Sequence, residues 1–493
     1  VTSGTRILTA NGAGSIAITV GGSNLVPDGG QLTFTTSNDV IVTGNTAAAA
    51  DEDVVISALA TDVEFTGTVG AGSLTQLASG TGTTTLRDNV TTTTGGVSLD
   101  TVSIVLDGLT MNTTAAAAAG DVTLTGATTL ATADVNITTA GGDVSFAGAG
   151  TIEGGRDLQI TAGAGLVGVT GAIGAVDVGD GAGPAIEIVS SGGTTFGSTV
   201  DVASGIVSTA TGSTQFNGTV NVTGGNTDSS FDGSVEFVGN MDWDTATTAL
   251  TIGDADADTF TTGGLTTIDT STGSDNVTIN ATTTIGDDLV VTAGAGAIAL
   301  NAPLGRTAAT DDLTLTSSGT TTIAAASQVG TSADRLGTVL IDAGGTTNVG
   351  SDVYAATITV TGDAVTATES IELDASGAVA VTGGVSTIDG DGGVDDVTLT
   401  AGGSVTVAGA IGAGTTVDAL TVNAGTTVTI DNIGDAGGAG VSGATDVNAG
   451  NAITLTGTVY NANAQSYDAG ATTNLITLDG GANTTFTSTN DTV

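Results

Sequence analysis

Alternation is the first property of this chain: apolar and polar residues trade places every second position in short runs. "LTLT" (313–316), "TITVT" (357–361), "AITL" (452–455) and "SVTVA" (404–408) show it, each bounded by Gly, Asp or Asn. Period-two runs of four to six residues bounded this way read as β-strands with one face buried. Helical periodicity is nearly absent. The alanine runs at 47–50 and 115–119 are too short to hold a helix alone, and are read as loops or turns.

The runs recur in whole phrases. "LQITAGAGLVGVTGAIG" (158–174), "LVVTAGAGAIALNAPLG" (289–305) and "VTLTAGGSVTVAGAIG" (397–412) are variants of one unit. Aligned on the glycine after each run, the second half climbs a ladder: Gly294, Gly319, Gly344, Gly377, Gly402, Gly425, Gly450, Gly470. A looser series runs from Gly95 to Gly273. A period near 20–25 residues that tolerates insertions is the mark of a solenoid.

Strand, glycine turn, second strand and a return leave no room for a crossover helix. The sequence therefore predicts an all-β fold, a parallel β-helix (β-solenoid) of about 20 coils. Right-handed winding is expected from the handedness of parallel crossovers. Val, Ile, Leu and Ala point inward, Thr points outward, and the glycines supply positive φ at corners. Three stretches follow: less regular coils over 1–94, regular repeats over 95–469, and terminal strands over 470–493.

Composition narrows the chemistry. Of 493 residues 79 are Gly, 51 are acidic and only five are basic, all Arg, for a formal net charge of −46. There is no Cys, His or Lys. Nucleic acid is excluded as a partner, because phosphate binding needs basic clusters. No apolar run is long enough to span a bilayer, so membrane insertion is not expected. About 20 coils at ~4.8 Å make a rod on the order of 100 Å, close to the linear charge density of DNA, so a sheath of cations is expected.

Catalysis has few residues to work with. Nucleophile triads, ordinary zinc sites, P-loops and Schiff bases all lack their parts. The pairs Asp287–Asp288, Asp311–Asp312 and Asp395–Asp396 suggest a carboxylate dyad, yet each sits just before a repeat strand. A catalytic pair is needed once; three equivalent pairs point to a strand-start role. The chain is read as a non-enzyme.

Two acidic loops are candidate calcium sites: "DADAD", with Asp254, Asp256 and Asp258, and "DGDGGVDD", with Asp389, Asp391, Asp395 and Asp396. Several carboxylates in a flexible loop suit a hard, oxygen-seeking ion such as Ca²⁺. For any one loop the plainer reading, Asp capping its own turn, stands first. The Thr rows "TTTL" (83–86) and "TTTI" (282–285, 320–323) are too unevenly spaced for an ice-matching face. Trp243, Tyr354, Tyr460 and Tyr467 show no clustering by repeat, and are read as coil filling, not sugar platforms.

The units "LTLTSSGTTTIAAASQVG" (313–330), "RLGTVLIDAGGTTNVGS" (335–351) and "GTVYNANAQSYDAGATTNLITLDG" (457–480) resemble repeats of filamentous-haemagglutinin-like adhesins and other large secreted bacterial surface proteins. The likeness runs from about residue 95 onward. It implies a right-handed β-helix, secreted or surface-displayed, acting in adhesion or as an extracellular fibre.

Alternating text begins by Arg6 and continues through 473–493 with no capping helix. The expectation is that residues 1–45 and 470–493 form a joint between copies, giving a head-to-tail surface or matrix filament. The competing expectation is a segment of a cell-anchored adhesin stalk binding host or neighbouring cell surfaces; besides copies of the chain itself, cell-surface or matrix polysaccharide is a candidate partner. A polysaccharide-active enzyme and an ice-binding protein rank below both.

Overall fold

A computed structural model describes residues 6–10, 14–20, 25–26, 30–47, 52–57, 60–254, 257–383, 387–470, 474–481 and 483–488. The protein is all-β, a solenoid of about 20 parallel stacked turns. It divides into two compact units, Val1–Thr248 with Ile252–Asp254, and Ala249–Thr251 with Ala255–Val493.

In the first unit a coil carries three strands, two of which run together as one long strand at Leu74–Leu86, Val97–Leu106 and Val122–Leu130. Leu158–Thr161, Leu166–Val169 and Ile173–Val178 make one coil, and Ile186–Ser190, Gly193–Phe196 and Val200–Val202 the next. Every strand pairs in parallel with its equivalent one coil on, so that Leu158, Ile186 and Ile206 stack in a column. The sequence predicted two strands and a return; the return is a third strand. Some strands are only three residues long, as in Val220–Val222, and others shrink to a single bridge, as at Ile411 between Ile388 and Ile433. Runs that short carry no alternation to detect.

Inward positions are sealed. Strands such as Leu313–Ser317 and Val397–Ala401 alternate buried and half-exposed residues along their length. Each buried aliphatic side chain contributes ~1.5–3 kcal/mol relative to exposure. Coil length stretches further than 20–25 residues: Asp342 and Thr361 meet across 19 residues, Gln159 and Glu187 across 28. The extra residues go into corners, such as the stretch around Asp180, whose carboxylate accepts the Ala182 N–H at 2.8 Å. Parallel pairing resumes on either side of such insertions, with register shifts between Ile160 and Thr161 and between Ile173 and Val178.

Two local expectations need correction. Residues Thr114–Ala119 wind into a short 3-10 helix, started by the Asn112 side chain, which accepts the Thr114 N–H at 2.9 Å. Of the other alanine run, Ala47 ends the strand Thr46–Ala47, and 48–50 lie outside the described residues. Secondly, positive φ does not explain most of the glycine ladder. Gly294 and Gly470 do have φ of 55° and 82°. At Gly425 and Gly450 the reason is close approach instead: a Cβ on Gly425 would enter the Gly402 carbonyl oxygen, and one on Gly450 that of Gly425.

Candidate functional site

In two of the three aspartate pairs the second member is a strand-start cap. Asp288 Oδ1 accepts the backbone N–H of Asp312 at 3.0 Å, and Asp312 Oδ1 accepts that of Thr338 at 2.5 Å. Asp121 and Asp143 repeat the arrangement in the first unit, accepting from Asp143 and Leu166 at 2.9 and 2.8 Å. Asn276 and Asn432 do the same for Ala297 and Thr458. In every case the acceptor lies one coil before the donor. The preceding pair member does other work: buried Asp311 turns Oδ2 back to its own loop, accepting the N–H of Ala308 at 2.7 Å and of Thr307 at 3.1 Å. The carboxylates of this pair are thus each committed to backbone, one to its loop and one to the next coil.

The acidic loop 389–396 is folded on itself. Asp389 Oδ1 accepts the Gly414 N–H of the next coil at 2.9 Å, and its Oδ2 accepts the Thr387 hydroxyl at 2.8 Å. Asp391 caps Gly393 at 2.8 Å, and the buried Asp395 accepts the Asp391 N–H at 3.0 Å. Asp396 donates its N–H to the Ser370 hydroxyl. Burial, with the neighbouring charges of Asp391 and Glu369, pushes the Asp395 carboxyl up from its ordinary range. Of the other loop, Asp254 belongs to the first unit and Asp258 to the second, and Asp256 lies outside the described residues. Among the described residues no three carboxylates converge in a geometry that could hold a metal ion.

One polar cluster was invisible in the sequence. Arg335 donates to the Asp374 carboxylate at 2.5 Å and to its carbonyl at 2.6 Å, across 39 residues. Its guanidinium lies 5.7 Å from the centre of the Tyr354 ring. The Tyr354 hydroxyl stands 3.3 Å from both Asp352 and Glu372. Burial, then those two negative charges, pushes this phenol up to about 12. The cluster ties three coils together at one corner. Rarity was the available signal, since Arg335 is one of five arginines and Tyr354 one of three tyrosines.

The aromatic residues fill coil interiors. Phe196 and Phe216 stack at 4.9 Å, and Phe216 meets Phe231, Phe237 and Trp243 edge-on at 5.5–5.8 Å. Near the other end of the chain Tyr460 stacks on Phe486 at 4.9 Å, with Tyr467 edge-on to the same ring at 5.9 Å.

Two surfaces remain. In the second unit the strand Leu475–Leu478 pairs with Ala452–Leu455, placing Ile476 over Ile453 and Leu478 over Leu455. The earlier pair is sealed, at 0% and 1% exposure, whereas Ile476 and Leu478 are 46% and 52% exposed. They are interior positions laid bare. On the outside of the same stack, Leu340, Thr359, Ala380, Thr406, Thr429 and Thr454 form one registered column without a charge. The architecture is thus that of a parallel β-solenoid with carboxylate and amide caps. Set against known proteins, the chain matches no family model, no curated protein and no solved structure.

Proposed function

We propose that the chain is a structural, non-enzymatic extracellular protein whose copies add coil on coil, head to tail, into a surface or matrix filament. The observation that carries this reading is the bare pair Ile476 and Leu478. At about half exposure, each forgoes roughly half of the ~1.5–3 kcal/mol that full burial contributes. In the first unit Leu8 stands in register over Phe34 and is 37% exposed, where Phe34 is fully buried. A strand added in parallel to either edge repeats the contact that each coil already makes with the next. A contact of that kind joins unlike surfaces and does not close on itself, so it propagates. The polyanionic surface fits a hydrated, cation-rich extracellular setting.

Electron microscopy of the purified chain tests the reading. Uniform threads are expected from the parent, and single short particles from Ile476→Asp/Leu478→Asp, with unchanged circular dichroism. Parent particles that never lengthen would favour the monomeric adhesin stalk.

A further inference from the structure

We propose that a second copy of this chain docks on the uncharged sheet face of the second unit, so that filaments bundle side by side. The inference rests on the filament reading. Six consecutive coils present Leu340, Thr359, Ala380, Thr406, Thr429 and Thr454 outward, in unbroken parallel register and half-exposed. The adjoining outward column, from the Thr338–Thr357 pair to the Thr427–Ala452 pair, is uncharged as well. The chain carries 51 acidic residues, and Asp342 and Asp431 stand at the margin of this face, yet none falls inside it.

Charge selects the occupant. Burying an unpaired carboxylate is prohibitive, and a net charge of −46 repels another copy from most directions. This face is one on which two copies meet without trapping a carboxylate. A cationic partner would find nothing here to pair with. Short β-branched and aliphatic side chains on a regular sheet also suit face-to-face packing of two sheets, ~10 Å apart.

Area sets the consequence. Six coils at ~4.8 Å and two columns cover on the order of 400 Å² per copy, about half of what a stable pair buries. Single copies therefore stay apart. A filament repeats the face along its length, and the linked contacts act together. Salt screens the repulsion between the acidic margins, so bundling grows with ionic strength.

The experiment images parent and Thr406→Asp/Thr429→Asp threads by negative stain, in low salt and in about 0.5 M NaCl, with sedimentation measuring bundled mass. The parent is expected to bundle and the variant to give threads of normal length that stay single, with at least ~10-fold less bundled mass. Thr406→Ser/Thr429→Ser should bundle like the parent. If the aspartate pair melts early, Thr359→Glu repeats the test elsewhere in the column. Parent threads that stay single in high salt, or aspartate variants that bundle like the parent, would overturn the inference and leave the filament reading standing. An absence of threads altogether would overturn both.

Discussion

The Asp288 carboxylate accepts the backbone N–H of Asp312, the equivalent residue one coil later, at 3.0 Å. This bond makes an aspartate that looks catalytic a piece of scaffolding. Asp288→Ala should cost ~1 kcal/mol, as loss of a cap does elsewhere. Asp288→Asn keeps the acceptor and removes one of 51 negative charges, so it should melt at or slightly above the parent temperature. Calorimetry in low salt decides between them; an asparagine variant as weak as the alanine one would mean that the charge itself is needed.

Phe216 touches Phe196, Phe231, Phe237 and Trp243 inside the first unit. Phe216→Ala should cost about 3–5 kcal/mol, because neighbouring coils cannot collapse into the space. In a stacked array the loss stays local. Trp243 is buried and is the sole tryptophan, so its emission should shift to the red before the far-ultraviolet signal falls. Simultaneous loss of both signals would argue against local weakening.

The buried Asp395 carboxyl is raised above its ordinary range, by burial first. The folded state therefore holds this proton more tightly than the unfolded state, and ionisation at neutral pH costs stability. Stability should rise as pH falls from the raised folded value toward the ordinary carboxylate range, then level off. Asp395→Asn, which can still accept the Asp391 N–H, should be more stable than the parent at neutral pH, and the difference should vanish on acidification. An equal gap at both pH values would rule out titration of Asp395 as its source.

All three tyrosines are shifted upward, Tyr354 and Tyr460 to about 12, and burial is the first cause in each, including Tyr467. Since the unfolded chain ionises near pH 10, stability should decline as pH climbs above 10. Absorbance at alkaline pH should show little tyrosinate near pH 11 while the protein is folded, and a sharp rise on unfolding. Tyrosinate appearing at pH 10 in the folded protein would contradict the burial of these rings.

Gly425 has no room for a side chain against the Gly402 carbonyl. Gly425→Ala should destabilise by about 1–3 kcal/mol, the range for forced overpacking. An alanine tolerated without loss would show that the corner can open.

Alternation and a recurrent glycine were enough to specify strands, inward columns and a solenoid, because period-two burial and a recurring coil step are written locally. The strand-start place of Asp288 and Asp312 was also legible, since it recurs at the same step of different coils. Tertiary structure alone decided the rest. Strands of three residues such as Val220–Val222 are too short to alternate, the glycine ladder is required by a carbonyl one coil away, and Arg335 finds Asp374 across 39 residues. The bare edge at Ile476 and the uncharged column through Thr406 exist only once coils stack. A single coil carries one residue of each, and only stacking turns single residues into a surface.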